Sequence, residues 1–146
     1  MKVTREPTNR SMPPGTIIPE LAYADVRVAT LWLCRAFGFV ERLRIGDHRA
    51  QLSFGEGSVV IMRTHTARDA PLDAAGFGHA VMVRLDDVDA HCERARQHGA
   101  RIVQVPTDFP YGERQYSTVD IGGHAWTFSQ TIADVDPTSW GGTVPR

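Results

Sequence analysis

The 146-residue sequence predicts an α+β fold of two tandem βαβββ modules around a concave cleft. Three observations carry this. The order strand, helix, three strands reads twice along the chain. Its landmarks recur at a nearly constant offset: the helix-cap candidates Asp25 and Asp87 are 62 apart, the helix-stop glycines Gly38 and Gly99 are 61 apart, and the turn glycines Gly57 and Gly123 are 66 apart. A hydrophobic fraction of 42% is enough to fill a core.

Residues 1–15 are polar, with a Met12-Pro13-Pro14-Gly15 break, and read as a flexible arm. The first module spans residues 16–64. Its first strand, 16–23, contains Pro19, which suits an edge or a bulge. Asp25 caps a helix that carries Val28, Leu31 and Trp32 and ends at Gly38. Strands 39–45, 49–54 and 58–63 follow, divided by Gly46-Asp47 and Gly55-Glu56-Gly57. Residues 65–78 read as a linker. The second module spans 79–132: a strand over 79–85, a helix capped by Asp86 or Asp87 running through His98, a strand over 101–105, a loop over 106–114, and strands 115–119 and 125–130 joined at Ile121-Gly122-Gly123. Residues 133–146, with Pro137, Gly141, Gly142 and Pro145, read as an irregular tail in which Trp140 folds over an edge or completes a dimer contact.

Composition excludes several classes. Sixteen Lys and Arg against 17 Asp and Glu give a net charge of −1, without the basic excess that nucleic-acid binding uses. Two cysteines, Cys34 and Cys92, make neither a disulfide framework nor a four-cysteine zinc site; both read as small hydrophobes within helices. No apolar run reaches the ~20 residues of a membrane span, and the N-terminus lacks the apolar stretch of a secretory signal. The expected setting is the cytoplasm, with neither nucleic acid nor membrane as partner. No Gly-Lys-Ser/Thr phosphate loop is present, and Gly76-Phe77-Gly78 lacks the helix that a dinucleotide site needs.

Three segments carry a resemblance: Asp86-Asp87-Val88-Asp89-Ala90-His91 with Gly99-Ala100, Tyr111-Gly112-Glu113-Arg114, and above all Asp120-Ile121-Gly122-Gly123-His124 leading into Ala125 through Gln130. With the doubled module they resemble the vicinal oxygen chelate superfamily of glyoxalase I, extradiol dioxygenases, fosfomycin resistance proteins and bleomycin-binding proteins. The resemblance runs from Ile17 to about Gln130. In catalytic members it implies metal ligands on the first and last strand of each module. Here those places hold Ile18, Ile61 and Thr127; counting back from Asp87 gives Ala80, and counting from Asp86 gives His79, the one candidate ligand. A single imidazole does not hold a metal, so neither metal nor other cofactor is expected.

The remaining polar groups read structurally. His124 belongs to a turn, His91 and His98 face solvent, and Asp86, Asp87 and Asp89 serve a helix N-terminus. On the last strand, Trp126 and Phe128 pack under the helix, leaving Ala125, Thr127 and Ser129 for the cleft. The same parity puts Val59, Ile61 and Arg63 in the cleft from the first module. The expected ligand contacts are Glu20, Arg63, Arg114, Tyr116, Thr127 and Ser129, with Tyr111 nearby. Arginine and aromatic rings suit an aromatic or anionic organic molecule, whereas Glu20 suits a cation. Two functions stay open. One is a metal-free homodimer that sequesters an antibiotic or metabolite, similar to the bleomycin-resistance branch. The alternative is a metal-dependent lyase, isomerase or dioxygenase of the same superfamily.

Overall fold

The computed structural model describes residues 9–64 and 79–145; the expected linker, with Gly76-Phe77-Gly78, lies outside them. The first module runs β1 (Glu20–Tyr23), α1 (Val26–Trp32, continued by a π-helical turn Leu33–Phe37), β2 (Val40–Ile45), β3 (Arg49–Phe54) and β4 (Gly57–Arg63). The second repeats it as β5 (Val81–Arg84), α2 (Val88–Gln97), β6 (Arg101–Phe109), β7 (Glu113–Val119) and β8 (Ala125–Thr131). Each module is one four-stranded sheet, ordered β1-β4-β3-β2 and β5-β8-β7-β6. β1 runs parallel to β4 and β5 to β8, while the hairpins are antiparallel. The two-module α+β fold is therefore as expected.

The local chemistry explains the boundaries. Asp25 accepts from the Val28 N–H, and Asp87, not Asp86, accepts from the Ala90 N–H, each at 3.0 Å. Gly38 closes the first helix with a φ of 85°, a conformation that disfavours other residues. Two differences stand out. The first strand begins only at Glu20, because Pro19 has no N–H to pair; its carbonyl still accepts from the Val60 N–H. The loop expected over 106–114 is mostly strand. β6 continues to Phe109, and register irregularities between Ile102 and Thr107 absorb Pro106. The tail contains a short 3₁₀ turn, Pro137–Trp140, that places Trp140 against Tyr111 with ring centres 5.3 Å apart.

One hydrophobic core serves both modules. Leu21, Tyr23, Ala50, Leu52, Val59 and Ile61 meet Trp126, Phe128 and Tyr116 around the helices. Phe37, at the end of the π-helical turn, sets its edge against Phe128 and Trp126, with ring centres 4.8 and 5.4 Å away. Trp126 and Phe128 lie under the helices as expected. Ile61 does not face a cleft but is fully buried in the core, and Val59, 4% exposed, is a core residue whose side also borders a groove between the modules. The register explains this. Leu21 pairs with Ile61, whereas Met82, on the opposite face of its sheet, pairs with Thr127. The counterpart of Thr127 is thus Val60, the partner of Glu20, and a step of one residue reverses the face.

Two polar clusters join the modules. Asp120, 5% exposed, takes hydrogen bonds from the Tyr23 hydroxyl (2.5 Å), the Trp126 indole (2.9 Å) and the backbone N–H groups of Gly122 and His124 (both 2.9 Å). The Nε2–H of His124 donates to the Ala22 carbonyl at 2.7 Å. Burial, then the nearby Asp120 charge, hold the Tyr23 hydroxyl protonated. Gly122 permits the approach, since a Cβ there would sit 2.4 Å from a Tyr23 ring carbon. The second cluster corrects an expectation. His91 does not face solvent: Nε2–H donates to the Phe37 carbonyl at 2.7 Å, and Nδ1 accepts from the Tyr116 hydroxyl at 2.5 Å. His91 sits on the shoulder of the buried stripe Val88, Cys92, Ala95, where α2 meets the first module. His98, one turn beyond that stripe, is exposed.

Gly122→Ala should lower the urea-unfolding midpoint, by about 1–3 kcal/mol in stability, because the Tyr23 ring has no room to retreat. Stability should also fall on acidification through His91. Burial lowers its pKa below the ordinary 6.5, so the unfolded chain takes up the proton first. The contribution is fully present above pH 6.5 and is lost as pH falls from there through the folded-state value. Urea melts of wild type and His91→Gln between about pH 7.5 and 5.5 should show the shallower slope in the variant.

Candidate functional site

With the helix-side faces joined in one core, the opposite faces of the two sheets lie outside it. On the first sheet this face holds Glu20, Ala22, Gln51, Val60 and Met62, of which Ala22, Gln51 and Val60 are buried, Gln51 donating to the Ser11 carbonyl at 2.9 Å. On the second it holds Met82, Arg84, Gln115, Ser117, Thr127 and Ser129, of which Gln115 and Ser129 are buried, Ser117 and Thr127 half-buried, and Met82 and Arg84 exposed.

The six expected contacts divide. Thr127 and Ser129 share the open face of the second sheet. Ser129 donates to a Glu113 oxygen at 2.7 Å and accepts from the Gln115 amide at 3.0 Å. Gln115 in turn accepts from the Tyr111 hydroxyl at 2.9 Å. The Ser129 hydrogen bond, with help from Thr131 and the Arg84 charge, holds the Glu113 carboxyl below its usual range. Glu20 does lie on an open face, that of the first sheet, where it is paired with Arg49 at 2.9 Å.

The other three point elsewhere. Tyr116 pairs with Phe128 on the helix side, is fully buried and bonds His91. Arg114, two residues away on the same side, is held by Asp89 of α2 and by Asp108, both at 2.9 Å. Arg63 shares the parity of Ile61 and donates to the Asp47 carbonyl at 3.4 Å, beside Asp25 and Arg27. The groups not foreseen, Gln115, Glu113, Met82 and Arg84, are the alternates of these strands. Their signal was the strict period of two, counted from the correct strand partner.

A groove of about 740 Å³ opens between the modules. Ile17, Pro19, Phe39 and Phe54 line one side and β5 with Leu85 and Asp86 the other, and the β3–β4 turn contributes Glu56. Met82 and Arg84 belong both to this groove and to the open face that carries Thr127 and Ser129.

The described residues assemble no ligand set for a divalent metal. The first and last strands of the modules, β1, β4, β5 and β8, offer their open faces one carboxylate, Glu20, already paired with Arg49, and the other open-face carboxylate, Glu113 on β7, is held by Ser129. Ile61 is in the core, and Val60, which takes the open-face place, cannot ligate either. His79 is exposed and precedes β5. Among the described residues no three His, Cys, Asp or Glu side chains converge.

Comparison with known proteins agrees with this architecture. The model of the family Glyoxalase/Bleomycin resistance protein/Dioxygenase superfamily matches residues 18–128. The crystal structure of TioX from Micromonospora sp. ML1 is 39% identical, with a TM-score of 0.66, covering 81% of this chain and 99% of that one. TnmS3, an antibiotic binding protein from Streptomyces sp. CB03234, is 24% identical over 78% of this chain and 93% of its own, with a TM-score of 0.63. A glyoxalase/bleomycin resistance protein/dioxygenase from Nocardioides shares the fold at 16% identity, with a TM-score of 0.66 over 99% of this chain and 93% of that one. No curated protein matches the chain. Two βαβββ modules, repeated in register and joined at the Asp120-Ile121-Gly122-Gly123-His124 turn, place the chain in the glyoxalase/bleomycin resistance protein/dioxygenase superfamily, to which it belongs.

Proposed function

We propose that the protein binds a medium-sized organic molecule, of the antibiotic or metabolite kind, without a metal, and acts by sequestration. The carrying observation is the make-up of the open faces: half-buried Thr127 and Ser117 beside exposed Met82 and Arg84, with two carboxylates, Glu20 and Glu113, already engaged by Arg49 and Ser129 respectively. Such a surface orients an organic ligand but does not assemble a Lewis-acid centre. TnmS3, described as an antibiotic binding protein, supports the same direction. Thr127 and Ser129 are the proposed contacts, with Glu20 contributed from the other sheet. Arg63, Arg114 and Tyr116 are engaged on the helix side and are not needed.

The working unit in this reading is a homodimer. Val40, Met82, Val103 and Val105 are each more than half exposed, and all lie on the edge strands β2, β5 and β6. Exposed apolar edges are what a second copy covers. Pairing the first sheet of one copy with the second sheet of its partner would bring Glu20 toward Thr127 and Ser129. Among the described residues no helix is long and apolar enough to cross a membrane. The free Cys34 and Cys92 suit a reducing compartment, and the cytoplasm is the proposed location.

A thermal-shift screen of antibiotics and aromatic acids should yield a compound that raises the melting temperature of metal-free protein. Thr127→Trp, which fills the open face, should weaken that compound more than tenfold, and Arg114→Ala should leave its affinity unchanged. Native mass spectrometry should report the same complex at twice the 16.2 kDa chain mass. A mass of one chain at micromolar concentration, or one equivalent of metal retained after dialysis, would refute the reading.

A further inference from the structure

The two junctions between the modules are related by the repeat, yet only one is closed. By the strand register, Glu20 corresponds to Met82, and so Tyr23 corresponds to Leu85. By the same register, which matches Val60 to Thr127, Gly122 corresponds to Gly55 and Gly123 to Glu56. At the first junction the Tyr23 ring lies on Gly122 and its hydroxyl binds Asp120. At the second, Leu85 brings neither a ring nor a hydroxyl, and Gly55 is left uncovered, with open space where the Tyr23 ring lies at the first. The groove of about 740 Å³ is the result.

We propose that this groove seats an aromatic ring carrying a protonated amine. The proposal rests on the small-molecule reading above and adds the seat and the charge of the ligand. The volume falls within the roughly 300–1,000 Å³ usual for small-molecule pockets. Its walls are apolar and partly aromatic: Phe39 and Phe54 meet edge to face with ring centres 5.3 Å apart, opposite Val83 and Leu85. These walls accept the kind of ring that Tyr23 supplies at the other junction. The charge follows from the rim. Glu56 lines one side and Asp86 the other, both exposed. Among the described residues the one basic lining side chain, Arg84, lies on the open-face side, where its charge acts on Glu113. Two carboxylates flanking an aromatic slot favour an ammonium over a carboxylate. Because both are exposed, the preference should be about three- to tenfold rather than absolute.

The test uses the full-length protein and three probes of one shape: 1-naphthylmethylamine, 1-naphthalenemethanol and 1-naphthoate, followed by calorimetry with light scattering on the same samples. The amine should bind best and the naphthoate worst, by about three- to tenfold. The exposed double variant Glu56→Gln/Asp86→Asn, which leaves the core untouched, should erase that order. Leu85→Trp, which fills the slot, should weaken all three probes more than tenfold, with circular dichroism confirming its fold. Equal binding of amine and naphthoate to wild type, or undiminished binding to a folded Leu85→Trp, would overturn the proposal. So would a dimer that Leu85→Trp dissociates and that binds none of the probes, since the groove would then hold the second copy. If the amine fails while an antibiotic still shifts the melting temperature in a Thr127-dependent way, the groove falls and the binding reading stands. If neither binds, both fall.

Discussion

The buried carboxyl of Asp120 is the constraint on which the rest of the arrangement depends. Four donors converge on it, two from its own turn and two from aromatic side chains, and one of these, Tyr23, belongs to the other module. A buried carboxyl stripped of such partners would cost several kcal/mol, so the turn, the β8 indole and the end of β1 are obliged to keep their positions together. The His124 bond to the Ala22 carbonyl secures the same junction from the backbone side. Once β1 is docked on the β7–β8 turn, Phe37 can reach Trp126 and Phe128, and two half-covered sheets share one core.

That shared core decides which surfaces are free to work. The large aromatic residues are drawn to the helix sides, where Tyr116 and His91 satisfy one another beneath α2. What remains for the open face of the second sheet is polar apart from Met82: Thr127, Ser129, Ser117, Gln115, Glu113 and Arg84. Its hydrogen bonds are already organised through Tyr111, Gln115, Ser129 and Glu113, and Thr127 and Ser117 are its half-exposed hydroxyls. The division between a packed side and a polar side is thus a cause of the proposed binding character, not an accompaniment to it.

The repeat is symmetric in backbone and asymmetric in chemistry. Superimposed landmarks carry a tyrosine in one module and a leucine in the other, so Gly122 is covered by a ring and its counterpart Gly55 is not. One junction therefore closes into core while the other stays a groove bordered by carboxylates.

Much of the architecture was legible without coordinates. Caps, stop glycines and turn glycines mark where each element begins and ends because they act within a few residues of their own position. The βαβββ order, its doubling and the helix-side placement of Trp126 and Phe128 all follow from such local signals. The facing of Val59, Ile61 and Arg63, the burial of Tyr116 and the engagement of Arg114 by Asp89 did not. Each depends on which strand pairs with which, and a period of two reverses the answer with every residue of register. His91 and the groove depend on more distant facts still: one on a carbonyl 54 residues earlier in the chain, the other on two modules meeting unequally at related places. Local sequence determined the modules; only the tertiary structure decided what they present to a ligand, because that is set by contacts between residues far apart in the chain.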